Sequence, residues 1–193
     1  MRKNDRVTRN LKPRRPDVED EDLVGGVELR KLEVVDYDER WPGIFVEHRE
    51  RIRHALQKTD VAIEHIGSTS VPGLAAKPII DIVVAVDDIT AEEDYLGPLL
   101  TAGYVLRVRG PGRRLVRAPS RDVHVHILEK GDEAIERYLV FRDRLRTDAG
   151  DRALYASTKR ALIEQGFDDM NAYSDAKTEV VTEILRRAAA AGS

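Results

Sequence analysis

The chain has no cysteine in its 193 residues. Disulfides, thiol catalysis and thiolate metal sites are therefore excluded. No apolar run approaches the ~20 residues of a membrane-spanning helix, so a membrane is not expected as a partner. The opening residues lack the apolar core of a secretory signal. Together these absences predict a soluble cytoplasmic protein. Internal repeats are absent too, and so are low-complexity segments beyond a charged opening block.

What is present suits one folded unit. Hydrophobic residues make up 41% of the chain, enough for a single α/β domain with a sizeable core and a helical extension. The formal net charge of −3 is unevenly spread. Met1 to Pro16 holds seven Lys or Arg against one Asp, a local balance of +6 that leaves −9 for the rest. Asp17 to Asp22 then packs five acids into six residues. This block has no apolar periodicity, which predicts a disordered tail over residues 1–26 and mobility over Met1 to Asp22. Such blocks are more often solvated than bound to nucleic acid, so nucleic acid is not expected as a partner.

Val27 to Val35 alternates as an edge strand would. Trp41-Pro42 opens a helix, with proline in a permitted first-turn position. Ile44, Phe45, His48, Ile52, Ala55 and Leu56 continue at helical spacing, and His48 and His54 read as ordinary residues of a surface helix. Strands follow at Val61 to Ile66 and Ile79 to Val86. Thr90 can cap a helix running to Ala102, where Gly103 ends it. Gly110-Pro111-Gly112 joins a hairpin of Tyr104 to Arg109 and Arg113 to Ala118. Val123 to Leu128 is one more strand, predicted to neighbour the two before it. Helical patterns then cover Glu133 to Thr147, Asp151 to Gln165 and Ser174 to Ala191. The expected division is a tail (1–26), an α/β core (27–130) and a helical region packed on it (131–193).

The most informative stretch runs from Glu64 to Val84. Gly67-Ser68-Thr69-Ser70 follows a buried strand with small residues, hydroxyls and backbone N–H groups, a chemistry that suits phosphate oxygens. Lys77 adds a point charge. Asp81 lies inside an apolar strand, where a carboxylate is costly without a partner or a metal. Asp122, His124 and His126 alternate, so they share one strand face. Carboxylate and imidazole together suit Zn, Mn or Fe more than Mg. His65 reads either as reaching this pocket or as packing beneath it. Arg113 and Arg114, beside the hairpin turn, are candidates to grip an anion.

The run from His65 to Asp81 resembles the signature of the GrpB family, assigned to the nucleotidyltransferase superfold. The resemblance spans roughly Val27 to Ala188. It also takes in Tyr37-Asp38-x-Arg40-Trp41-Pro42, Val123-His124-Val125-His126, Phe141-Arg142-Asp143-x-Leu145-Arg146 and Tyr173-x-x-x-Lys177. It implies an α/β (α+β) fold, a mixed sheet with flanking helices and a C-terminal helical bundle. Gly67-Ser68 would cradle phosphate. Asp81 matches the first carboxylate of the superfold's pair, and the second position holds Val83. Carried over by motif, Arg142 and Lys177 would reach ligand phosphates from the helical region. The implied activity is metal-dependent nucleotidyl or phosphoryl transfer. Asp81 and His126 would be its catalytic residues, and Asp81, His124 and His126 the ligands of a divalent ion (Mg, Mn or Zn). The implied partner is a nucleotide or phosphorylated small molecule. The alternative is a non-catalytic phosphate-binding or scaffold module on the same fold, which Val83 favours.

Overall fold

A computed structural model describes residues 15–26, 33–57, 61–165 and 175–191. Among these, six strands form one sheet: β1 (Asp22–Leu23), β2 (Ile63–Ile66), β3 (Ile80–Val86), β4 (Val105–Gly110), β5 (Arg113–Arg117) and β6 (Val123–Glu129). The α-helices given bounds among the described residues are α1 (Trp41–Leu56), α2 (Leu96–Thr101), α3 (Glu133–Thr147), α4 (Ala149–Gln165) and α5 (Thr178–Ala191). The strand order is β1-β4-β5-β6-β3-β2. Only β3 and β6 run parallel; every other pair is antiparallel. The three strands expected to be neighbours are adjacent in this mixed sheet.

Apart from Asp81, strand β3 is apolar on both faces because both are covered. Ile80, Ile82, Val84 and Val86 join Val116, Val123, Val125 and Ile127 in the main core, against Trp41, Ile52 and Leu56 of α1 and Leu96 and Leu99 of α2. On the opposite face Val83 packs with Ile66 and Leu128 beneath Ala134, Ile135 and Leu139 of α3. A third cluster joins the loop after the Gly67–Ser70 turn to the helical region. Val71 and Leu74 insert among Leu145, Tyr155 and Ile184.

Several expectations need correction. The helix expected from Thr90 to Ala102 is a 3-10 turn at Glu92–Asp94 followed by the short α2. Pro98 explains this, because proline is tolerated in a helix's first turn but not deeper, where its ring meets the carbonyl four residues back. Thr90 does not cap it; its N–H and hydroxyl both donate to Asp88 Oδ1, at 2.8 and 2.7 Å. His48 is buried rather than ordinary, its Nδ1 2.7 Å from the Tyr104 hydroxyl. Of the Val27 to Val35 strand, residues 27–32 lie outside the described residues, and Val35 makes an isolated antiparallel bridge to Ala76.

Residues 1–14 lie outside the described residues, but 15–26 form a strap along the hairpin. Asp22 and Leu23 pair with Arg109 and Val108 of β4. The Arg114 guanidinium, buried, donates to Asp17 and Glu92 at 2.6 Å each. Gly112 N–H donates to the other Asp17 oxygen at 2.6 Å, and Arg113 pairs with Glu21. The acids that looked like a solvated run are matched to hairpin arginines. Pattern reasoning sees charge density, not the complementary charges about ninety residues away.

Burial alone would raise the Asp17 carboxyl, but bonds from Arg114, Gly112 and Val18 outweigh it and hold it below the ordinary 3.8. Asp17→Asn keeps the shape and loses the charge, so it should cost about 2 kcal/mol in urea unfolding at pH 7, as hydrogen bonds to charged groups do. A depressed carboxyl stabilises above its unfolded pKa and loses that contribution as pH falls through the folded one. The gap between wild type and variant should therefore close below pH 3.8. A gap that persists there would show that the charge is not what holds the strap.

Candidate functional site

The site is built where β2 ends and β3 begins. Gly67 has φ 71° and ψ −176°, a region essentially reserved for glycine. A Cβ placed there would meet Asp81 Oδ2 at 2.7 Å. The turn therefore lies directly against the carboxylate, and a single 3-10 turn, Ser68–Ser70, follows.

The interior of that turn is held by its own side chains. The Thr69 hydroxyl donates to the Ile79 carbonyl at 2.9 Å, so it accepts from His65 Nε2 at 3.1 Å. His65 is thus the Nε2–H tautomer. Burial pushes its pKa down to about 4, and it stacks on Phe45, ring centroids 4.8 Å apart. Of the two readings of His65, packing beneath the turn is the one observed. The Ser70 hydroxyl donates to the Gly67 carbonyl at 2.5 Å, and Arg146 donates twice to the Ser70 carbonyl, at 3.0 and 2.9 Å. Thr69 and Ser70 side chains therefore brace the turn; Gly67 and Ser68 front the site.

Asp81 shares its sheet face with His124 and His126. His126 Nε2 lies 3.3 Å and His124 Nδ1 3.7 Å from the same Asp81 oxygen, Oδ1. Burial would raise the Asp81 carboxyl, but the His126 hydrogen bond and the charges of His126, His124 and Lys177 hold it below the ordinary range. Asp81 is therefore an ionised acceptor, so His126 donates through Nε2–H and Nδ1 is its basic nitrogen. Burial pushes His124 down to about 4 despite Asp81 beside it, with His126, Lys77 and Arg117 adding to the depression. Asp122, the third member of the alternating set, bonds instead to the Ser120 hydroxyl.

The helical region closes the other side. Tyr155 of α4 hydrogen-bonds Ser68, and burial raises its hydroxyl. Lys159, one turn on, is buried, donates to the Ala75 carbonyl at 2.6 Å and lies 4.7 Å from the Tyr155 ring centroid. Burial, with help from Lys177, pushes its amine down to about 7. Lys177 is lowered by burial too, and Asp81 acts to raise it. Tyr138 of α3 contacts the His126 ring, centroids 6.1 Å apart.

Arg113 and Arg114 are engaged by carboxylates away from Asp81. Arg114 points to the opposite sheet face, into the strap and Glu92. Arg113 pairs with Glu21. Arg142 binds Glu64 at 2.8 Å, the His65 carbonyl at 3.1 Å and Asp143 at 2.7 Å, fastening α3 to β2. Lys77 acts on His124. Tyr173 lies outside the described residues. Tyr155 and Lys159 join the site although the sequence motifs did not single them out. The signal available was the four-residue spacing that stacks them on one helix face.

A divalent ion can be tested against these donors. Among the described residues, no three His, Asp or Glu side chains form a cage for one. Val83, where the resemblance led a second carboxylate to be sought, is buried under α3. A two-ion site does not fit. Asp81 with a single imidazole fits an ion whose remaining ligands come from a bound phosphate, as Mg²⁺ sites commonly do.

The model of the family described as GrpB protein matches residues 31–187. The chain belongs to the GrpB family. A UPF0157 protein of Streptomyces coelicolor is 60% identical over 185 residues, 96% of this chain and 99% of that protein. A UPF0157 protein of Halalkalibacterium halodurans is 42% identical, over 81% and 82% of the two chains. The crystal structure of the conserved protein GrpB from Enterococcus faecalis superposes with a TM-score of 0.70 at 32% identity, covering 81% of this chain and 96% of that one. The GrpB match spans both the sheet that carries Asp81 and the helices that carry Tyr155 and Lys159, so sheet and helices belong to one family unit. No helix among the described residues is long and apolar enough to cross a membrane.

Proposed function

We propose that this GrpB-family protein binds a nucleotide or another phosphorylated small molecule at the Gly67–Ser68 turn. Nucleotidyl or phosphoryl transfer beside Asp81 is the reaction class. The observation that carries this is the meeting of a small-residue turn held close against Asp81, an ionised carboxylate and two lysines whose burial weakens their hold on a proton. A phosphate between the turn and those lysines would favour their charged forms and so offset the effect of burial. The Asp81–His126 pair is arranged as a base with its orienter: the carboxylate fixes the ring and would stabilise an imidazolium formed when Nδ1 takes a hydroxyl proton. A divalent ion held by Asp81 and His126 or His124 together with the ligand's phosphate would neutralise charge there.

One observation favours a second reading, binding without turnover. Val83 is sealed under α3, so no side chain at that position can supply the missing carboxylate. The same experiment separates the two. Wild type, Asp81→Asn and His126→Ala would be incubated with a nucleotide panel and Mg²⁺, Mn²⁺ or Zn²⁺, with calorimetry for binding and mass spectrometry for products. Wild type should bind and form product. His126→Ala should bind within about threefold and lose product by about 10²-fold or more, the range of general-base removal. Asp81→Asn should stay folded and lose divalent-ion affinity. Binding without product across the panel supports the second reading, and no binding at all overturns both.

A further inference from the structure

Arg113 belongs to the Asp81 face of the sheet. In β5 it alternates with Arg114, which turns to the other face and Glu92. Arg113 pairs with Leu128 of β6, two residues beyond His126, and Leu115 pairs with His126 itself. Leu128 packs beneath α3, and residues paired across adjacent strands project to the same face. Two residues of strand rise are about 7 Å, within reach of an arginine side chain. Tyr138 of α3 stands over this interval, 37% exposed, its ring centroid 6.1 Å from that of His126. Burial raises its hydroxyl, the Arg113 charge acts to lower it and the Asp81 charge to raise it. Arg113 is thus the cation at the far end of a track that runs from Asp81 past His126 and Tyr138.

The strap meets this arginine with one acid. Glu21 pairs with Arg113, and the pair lies over Gly110 of β4. A Cβ on Gly110 would meet Glu21 Oε2 at 3.2 Å and Arg113 Nε at 3.4 Å, so the pair fits because glycine stands there. The strap is held unequally along its length. Asp17 meets Arg114, whose side chain is 2% exposed, whereas the side chains of Arg113 and Glu21 are 55% and 45% exposed. Water screens an exposed pair, which contributes little, while a buried one is costly to break. Glu21 can therefore let go while Asp17 keeps the strap on the hairpin. We propose that Glu21 is an internal competitor of the ligand: a phosphate or carboxylate that the ligand carries beyond His126 displaces it from Arg113. A guanidinium suits this exchange because it grips either group through two parallel N–H bonds. The strap then sets how tightly the site holds an extended anion. The identity of that ligand rests on the proposed function, whereas the exchange at Arg113 does not.

The test uses the full chain, with ATP and inorganic pyrophosphate as probes. Each is titrated by calorimetry into wild type, Glu21→Gln, Arg113→Gln and the double variant. Glu21→Gln removes the competitor and should tighten binding about threefold, the scale of an exposed pair. Arg113→Gln should weaken binding about tenfold, as loss of a charged hydrogen-bond donor does. In the double variant the gain from Glu21→Gln should vanish, because it acts only through Arg113. If Arg113→Gln proves unfolded by its melting profile, Arg113→Lys, which keeps the charge without the fork, should reduce both the affinity and the gain. A Glu21→Gln variant with no gain, or a gain that persists without Arg113, would overturn the exchange. ATP bound equally by every variant would remove the exchange and leave the proposed function standing. Pyrophosphate that follows the expected pattern while ATP fails to bind would do the reverse. Binding of neither probe by any variant would overturn both.

Discussion

Asp151→Ala should lower the unfolding free energy by about 3 kcal/mol, the lower end of the cost of removing one member of a buried ion pair. The Asp151 carboxylate is 3% exposed. It accepts from Arg144 Nε of α3 at 2.6 Å and from Arg187 Nη1 of α5 at 2.9 Å, while sitting itself on α4. One buried anion therefore ties α3, α4 and α5 together. The loss falls at the lower end because neither arginine is left alone: Arg144 also meets Asp148 and Arg187 also meets Glu183, each at 2.7 Å. The effect reaches the site, since α4 carries Tyr155 and Lys159 and α5 follows Lys177. Urea unfolding measures the loss, and ATP titration of the folded variant should show weakened affinity. A cost below about 1 kcal/mol would class the network with exposed pairs, which contribute little.

Much of the sheet was legible because its strands carry strong period-two or fully apolar patterns. Ile79 to Val86 could be read as a covered central strand, and the alternation of His124 and His126 put both on Asp81's face in the structure, within 3.7 Å of its oxygen. The strap was not legible. Its two-residue strand is too short for any pattern, and its hold depends on Asp17 and Glu21 meeting Arg114 and Arg113 across the fold. The same blindness made Arg113, Arg114 and Arg142 look available to a ligand. A sequence shows that an arginine is present, but only the fold shows which carboxylate it meets. Tyr155 was missed for the converse reason. Its position in a helical apolar stripe marks it for the core, and only the insertion of Val71 and Leu74 into the bundle brings its hydroxyl to Ser68.

Gly67→Ala should be the most damaging small substitution at the site, and Gly73→Ala separates its two causes. Both glycines have positive φ, 71° and 73°, so a side chain at either is strained by about 1–3 kcal/mol. They differ in surroundings. A Cβ on Gly73 meets nothing within 4 Å, whereas one on Gly67 meets Asp81 Oδ2 at 2.7 Å, its Cβ at 3.2 Å and its Cγ at 3.3 Å. Asp81 cannot swing away cheaply, because its stem is short, β3 is paired on both sides, and the carboxylate is bonded to His126. Overpacking of this kind adds about 1–3 kcal/mol. Gly73→Ala should therefore cost about 1 kcal/mol and leave nucleotide and divalent-ion affinity unchanged. Gly67→Ala should cost about 4 kcal/mol by urea unfolding and, where still folded, lose divalent-ion affinity as Asp81→Asn does, because the methyl displaces the carboxylate from the histidines. Equal costs at the two positions would mean that backbone strain alone requires Gly67, and that the close approach of turn to carboxylate is incidental to the site.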